Sequence, residues 1–313
     1  MEVNNSMQSL ITPHKLVCVS GVTGFLGQAI VFKLNELGYR ILALSRRPVE
    51  YQFTNVASSI VYVSGTIDEW EQAIRRFRPN VVISCDWEGV SQDRREHSEQ
   101  NLNCERVARL GQLAVEVNSE IFLTFGSQAE VAPSEDLIDE SAQDFSQNFY
   151  GSAKVKLHKS LNRIATNSST KVIWARIFTI YGPGDTRKTI VTEGIRSAIS
   201  GEKFVVQHPN RKWSFLYIDD FTNAILKILE NKDLSGVINI GNPVATELGL
   251  VSEIISNGLN LEPERNNPVE NADLDSVFTW IPKTETLSSL GWQPETSIHE
   301  GISKTIEWWL LKD

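Results

Sequence analysis

The sequence is poor in cysteine, has no excess of basic charge and contains no long apolar run, and each shortage removes a class of function. The 313 residues include three cysteines, Cys18, Cys85 and Cys104, far apart along the chain. That spacing offers neither a disulfide framework nor a metal-ligand cluster, so the expectation is a reducing cytoplasm and no metal. Acidic residues outnumber basic ones by 39 to 30, giving a net charge of -9. This argues against nucleic acid or an anionic membrane as the main partner, although a few local arginines can still hold a small polyanion. No segment has the length needed to span a bilayer. The first stretch, MEVNNSMQSLITPH, lacks a basic flank and an apolar core, so residues 1–13 are read as a polar tail and not a signal peptide. Internal repeats, low-complexity tracts and flexible linkers are absent from the sequence as well.

What is present is an ordinary globular balance, 41% hydrophobic and 22% charged, in a chain long enough for one large domain or two smaller ones. Short β-branched runs alternate with helical patterns. KLVCVSGV, RILALS, SIVYVSG, NVVISC, IFLTFGS and KVIWARIF read as six strands. Between them lie the helical segments FLGQAIVFKLNELG, IDEWEQAIRRFRP, REHSEQNLNCERVARLGQLAVEVN and YGSAKVKLHKSLNRIA. Such alternation predicts an α/β fold with a doubly wound parallel sheet of the Rossmann kind. Beyond about Tyr181 the elements shorten, with Pro and Gly punctuation at YGPGD, GNP and LGWQP. The expected organisation is a dinucleotide-binding domain over 14–180 and a smaller α/β lobe over 181–313, partly interleaved with it.

The first strand runs straight into Gly21-Val22-Thr23-Gly24-Phe25-Leu26-Gly27 and then a helix. Gly21 permits a tight turn, Gly24 lets backbone amides approach a pyrophosphate, and Gly27 lets the helix pack close on the strand. The spacing is one residue longer at the front than G-x-G-x-x-G, and the strand-turn-helix context favours a dinucleotide site over a plain turn. The second strand ends in Ser45-Arg46-Arg47, where NAD-binding folds usually place an acidic residue on the ribose 2′-hydroxyl. Two guanidinium groups and a hydroxyl, with no acidic neighbour in the sequence, suit a 2′-phosphate. NADP(H) is therefore expected ahead of NAD(H).

Tyr150 and Lys154, in Tyr150-Gly151-Ser152-Ala153-Lys154, fall one helical turn apart on one face. A nearby ammonium favours the phenolate of a tyrosine, and the pair can then exchange a proton with a carbonyl while a nicotinamide exchanges hydride. Ser127, at the end of the fifth strand, is placed to hydrogen-bond the same oxygen. Such a pair also arises by chance in helices, but turn, strand-end serine and Tyr/Lys helix occur here in the required order.

On these residues the chain resembles the extended short-chain dehydrogenase/reductase family, often labelled NAD-dependent epimerase/dehydratase, over about Lys15 to Trp309. Asn101, ARIFTIYGPGD, SFLYIDDFTNAI with Asp219 and Asp220, Asn239-Ile240-Gly241 and LGWQPETSIHEGI are similar to further family segments. The resemblance implies a nucleotide-diphosphate sugar as substrate and a homodimer. It adds Thr66 and Ile67 to the cofactor residues, and Trp87, Gln128, Arg176, Thr179 and Arg211 to the substrate residues. Of these, Arg176 and Arg211 are expected in or beside the substrate cleft, with at least one of them on the diphosphate. The chain departs from the family pattern at Ser84-Cys85-Asp86-Trp87, where His-Leu-Ala-Ala is usual, and at Thr66, Thr179 and Trp213-Ser214. Trp87-Glu88-Gly89-Val90 together with GSQAE resembles a subgroup tied to bacterial surface-polysaccharide sugars.

Within that family a 4,6-dehydratase carries Asp-Glu directly after the strand-end hydroxyl, whereas this chain has Gln128 and Ala129. Glu130 reads as a helix-start or solvent residue. The arginine pair points to a cofactor taken up as NADPH and released as NADP. The expectation is an NADPH-dependent reductase of a nucleotide-linked 4-keto-6-deoxysugar, serving deoxysugar or surface-polysaccharide biosynthesis. The alternatives are a 4-epimerase with bound NAD and a non-catalytic NAD(P)-binding regulator.

Overall fold

Apart from the partly exposed edge run IVYVS, the β-branched runs of the N-terminal half form strands whose side chains are buried on both faces, as a parallel sheet covered by helices requires. The computed structural model describes residues 15–48, 59–146, 148–202, 204–261 and 279–312, so the polar tail read at 1–13 lies outside the described residues. In chain order the elements are β1 (Leu16–Ser20), α1 (Phe25–Glu36), β2 (Arg40–Ser45), β3 (Ile60–Ser64), α2 (Ile67–Phe77), β4 (Val81–Ser84), α3 (Gln100–Glu116), β5 (Ile121–Ser127), α4 (Phe149–Ala165) and β6 (Lys171–Ile177). There follow β7 (Thr179–Tyr181), α5 (Ile190–Ile199), β8 (Lys212–Tyr217), α6 (Ile218–Glu230), β9 (Gly236–Ile240), β10 (Ala245–Glu247), α7 (Leu248–Gly258), α8 (Glu285–Ser289) and α9 (Ile298–Leu310). The long helix expected from Arg95 begins only at Gln100. Its side-chain amide reaches back to the carbonyls of Gly89 and Arg94, which holds the preceding residues in turns.

The chain divides into two units. The described residues of the first are 15–126, 148–175 and 225–237; those of the second are 127–146, 176–224 and 238 onward. The seven-stranded sheet has the order β3-β2-β1-β4-β5-β6-β9. β1 pairs in parallel with β2 on one side and β4 on the other. The order therefore reverses at β1/β4, and in such sheets ligands bind beyond the strand C-termini at that point. One apolar core of the first unit joins Leu42, Trp70 and Ile74 to Val107, Leu110, Phe122, Leu157, Leu161 and Trp174. In the second unit β8 pairs with β7 in parallel and with β10 antiparallel. There the carboxylate of Asp220 accepts the backbone N–H groups of Glu295 and Thr296, while Trp292 donates to the Asp220 carbonyl. No helix among the described residues is long and apolar enough to cross a membrane.

Gly27 shows why the first turn needs its glycines. It is buried in the opening turn of α1, and a Cβ there would collide with the Gly21 carbonyl oxygen, which is backbone and has nowhere to go. Gly27→Ala is expected to cost about 1–3 kcal/mol, the usual penalty for overpacking. Chemical denaturation of the ligand-free protein measures it, and an unchanged midpoint would mean that α1 can shift off the turn.

Candidate active site

The turn between β1 and α1 is built as an anion cradle. Gly21 has φ +72°, and a Cβ on it would lie 2.8 Å from the backbone of Cys85 and Asp86. Its N–H donates to the Leu44 carbonyl at 3.0 Å, so the turn extends the β1–β2 ladder. Gly24 is the N-cap of α1 and Thr23 beside it is exposed. No side chain caps this helix, and its first turn, with Phe25, Leu26 and Gly27, carries no acidic residue. A helix start arranged this way suits a phosphate as its cap.

At the tip of β2 the Ser45 hydroxyl donates to the Arg47 carbonyl at 2.7 Å and accepts the Arg47 N–H, which closes a tight turn. Arg47 is exposed at that tip. Arg46 reaches across the end of β1 to Asp86, which lies just beyond β4. Its Nε and Nη2 meet Asp86 Oδ1 at 3.1 and 2.9 Å, and its Nη1 meets Glu88 Oε2 at 2.6 Å. Arg106 of α3 pairs with the other oxygen of the same buried Asp86. Arg46 thus has two carboxylates against it that its sequence neighbours do not reveal. In turn its guanidinium holds the Glu88 carboxyl below the usual carboxylate range. Thr66, at the start of α2, donates its hydroxyl and N–H to Glu69, and Ile67 beside it packs against the core.

Tyr150 and Lys154 are buried on α4. The Lys154 ammonium donates to the Phe125 carbonyl at 2.7 Å and stands 3.4 Å from the centre of the Trp87 ring. Trp87 meets Tyr150 edge to face at 6.0 Å, and the Arg95 guanidinium lies over the Tyr150 ring at 5.3 Å. The indole is itself fixed, because its N–H donates to Gln100 Oε1 at 2.8 Å and Gln100 is fully buried. A cation on a desolvated indole face gains on the order of 2 kcal/mol. Trp87, expected among substrate residues, therefore packs as the platform of Lys154. Local sequence pattern gives no role to Arg95, Gln100 or Arg106, and marks Asp86 only as a departure from the family pattern. Burial pushes the Cys18 and Cys85 thiols far up, leaving neither as a nucleophile at neutral pH.

In the second unit Ser127 ends β5 and opens a short 3-10 turn over Gln128–Glu130. Its Oγ accepts the Ala129 N–H, and its own N–H donates to Glu130 Oε2. Glu130 is the helix-start residue expected, but it is buried and not solvated. Its Oε1 accepts the Arg176 Nε–H at 2.7 Å. Arg176 Nη1 also donates to the carbonyls of Asp139 and Glu140 and to Asn239 Oδ1. With its side chain 2% exposed, Arg176 acts as a structural cation of this unit. Thr179 opens β7 and is half-buried. Arg211 precedes β8, and its Nε is buried with no hydrogen-bond partner among the described residues. The same holds for Trp213 Nε1 and His208 Nδ1 on the same short segment.

A doubly wound parallel sheet with this glycine turn at its switch point defines a dinucleotide-binding protein. The chain belongs to the NAD dependent epimerase/dehydratase family, whose model matches residues 17–241. It is 24% identical to CDP-abequose synthase of Salmonella muenchen over 95% of this chain and 99% of that protein. UDP-glucuronic acid decarboxylase 5 of Arabidopsis thaliana is 33% identical over a shorter stretch, 41% of this chain and 38% of that protein. Among solved structures, MoeE5 in complex with UDP-glucuronic acid and NAD superposes with a TM-score of 0.82 at 21% identity, covering 95% of this chain and 99% of that one. UDP-glucose 4-epimerase of Thermotoga maritima with UDP-glucose gives 0.79 at 20% identity, over 95% and 99%.

The Arg176–Glu130 pair separates a structural from a binding role. Arg176→Leu leaves Glu130 buried without its cation and is expected to cost about 3–5 kcal/mol of stability in the absence of any ligand. Denaturant unfolding checks this, and full stability of the variant would return Arg176 to the list of ligand residues.

Proposed function

We propose that the protein is an NADPH-dependent reductase of a nucleotide-linked 4-keto-6-deoxysugar, active in the cytoplasm as a homodimer. The reading rests above all on Tyr150 and Lys154, packed side by side on α4 with the ammonium fixed between the Trp87 ring and the Phe125 carbonyl. The glycine turn at Gly21, Gly24 and Gly27 is the natural seat of the pyrophosphate, and Ser45, Arg46 and Arg47 of the adenosine ribose with its 2′-phosphate. The nicotinamide, when bound, supplies the hydride. Tyr150 gives its proton to the carbonyl oxygen as that oxygen becomes an alkoxide. Lys154 stabilises the phenolate left behind, and Ser127 orients the oxygen through its hydroxyl. Arg211 is the cation assigned to the sugar-nucleotide diphosphate. Its buried, unpartnered Nε is costly without an acceptor, and an anionic oxygen supplies one. Relatives named for CDP- and UDP-linked sugars support this substrate class.

A second reading, a 4-epimerase retaining NAD, is favoured by one observation. Asp86 and Glu88 already neutralise Arg46, which weakens its pull on a 2′-phosphate.

Two experiments test the proposal. Replacing Arg46 and Arg47 with alanine should weaken NADPH far more than NADH, at about 1.5–3 kcal/mol for each lost charge-assisted contact. Wild-type protein that binds NADH as tightly as NADPH would favour the epimerase. Tyr150→Phe removes the proton and keeps the ring, so cofactor affinity should hold while turnover falls about 10²–10⁴-fold. Near-normal turnover, with chemistry rate-limiting, would rule out Tyr150 as the proton donor.

A further inference from the structure

Four charged side chains meet where the tips of β2 and β4 flank the glycine turn: Arg46, Asp86, Glu88 and Arg106. Two cations and two anions cancel, yet the two carboxylates are held very differently. Asp86 has a side chain 3% exposed and is shared between both guanidinium groups, so it is part of the packed structure. Glu88 is 43% exposed and touches Arg46 through Nη1 alone. Its backbone is pinned, since the Asn103 side chain bonds both its N–H and its carbonyl, so the carboxylate can swing away without moving the loop. Asp86 occupies the Nε/Nη2 edge of Arg46 and Glu88 the Nη1 end.

We infer that Glu88 is a specificity-determining residue for the cofactor, competing with a ribose 2′-phosphate for the Nη1 end of Arg46 while Asp86 keeps that guanidinium aimed across the end of β1. This rests on the reading of Ser45-Arg46-Arg47 as the adenosine-ribose site. Because NADH carries a hydroxyl at the 2′ position, it has no need to displace Glu88, and NADPH does. The Glu88 carboxylate thus sets the ratio of the two affinities and leaves the glycine turn and the Tyr150 site untouched. It also makes the bound phosphate exchange one anion for another at Arg46, so that the guanidinium is paired in both states while the displaced Glu88 carboxylate turns to solvent.

Equilibrium binding of NADPH and NADH to purified protein, followed by cofactor fluorescence without any sugar substrate, tests this. Glu88→Gln removes the charge at an exposed side chain and keeps its shape. It should tighten NADPH about three- to fivefold, the size an exposed ion pair supports. NADH affinity should stay within experimental error. In an Arg46→Ala background the same substitution should have no selective effect, since the contested guanidinium is gone. An equal change for both cofactors, no change for either, or an undiminished effect without Arg46 would each overturn the inference. The wild-type affinity ratio tests the NADPH reading itself, so a protein that prefers NADH but gains NADPH affinity on Glu88→Gln would sink that reading and sustain this one.

Discussion

The burial of the Lys154 ammonium is the constraint around which the first unit's site is organised. A primary ammonium that is 3% exposed has lost nearly all its water, a cost of several kcal/mol unless oriented groups replace it. The Phe125 carbonyl and the Trp87 face do so from two sides. Each partner is fixed in turn, Phe125 by its place in β5 and Trp87 by the hydrogen bond to buried Gln100. Gln100 also ties down Gly89 and Arg94, so the position of a cation on α4 is determined by the loop after β4. Tyr150, one turn earlier on the same helix, inherits its place from that arrangement.

The same loop performs a second task one residue earlier. Asp86 is the neighbour of Trp87, and it faces Arg46 and Arg106 where Trp87 faces Lys154. Asp86 thereby anchors the tip of β2 and Trp87 the ammonium on α4, so one short stretch fixes both. Its close approach to Gly21 explains why no side chain is tolerated at that position. A substitution at Asp86 would therefore release Arg46 and Arg106, and one at Trp87 would uncover the Lys154 ammonium.

Much of this was legible in the sequence because it depends on local pattern. RILALS and IFLTFGS are strands with the bounds that their β-branched runs suggest, and the glycine spacing lies in the strand-turn-helix context read for it. Long-range pairing was not legible. Arg46 has no acidic neighbour in sequence, yet it meets Asp86 forty residues on. The segment that Arg176 occupies suggests a substrate cation, whereas its partner Glu130, 46 residues earlier, turns it inward. Trp87 was noticed as a departure from a family pattern. Its role as a platform needs the helix at Gln100 and the helix at Lys154 to be brought to it, which no local rule specifies.

Hydride passing between a nicotinamide and a carbonyl held beside Tyr150, with net reduction of a nucleotide-linked keto sugar, is the reaction proposed for this site. Incubation with NADPH deuterated on the transferable face, and a panel of nucleotide-linked 4-keto-6-deoxysugars, tests it directly by mass spectrometry of the sugar product. The expected result is stoichiometric NADPH consumption with deuterium on the former carbonyl carbon. Interconversion of sugar epimers with no NADPH consumed and no deuterium in the product would contradict it.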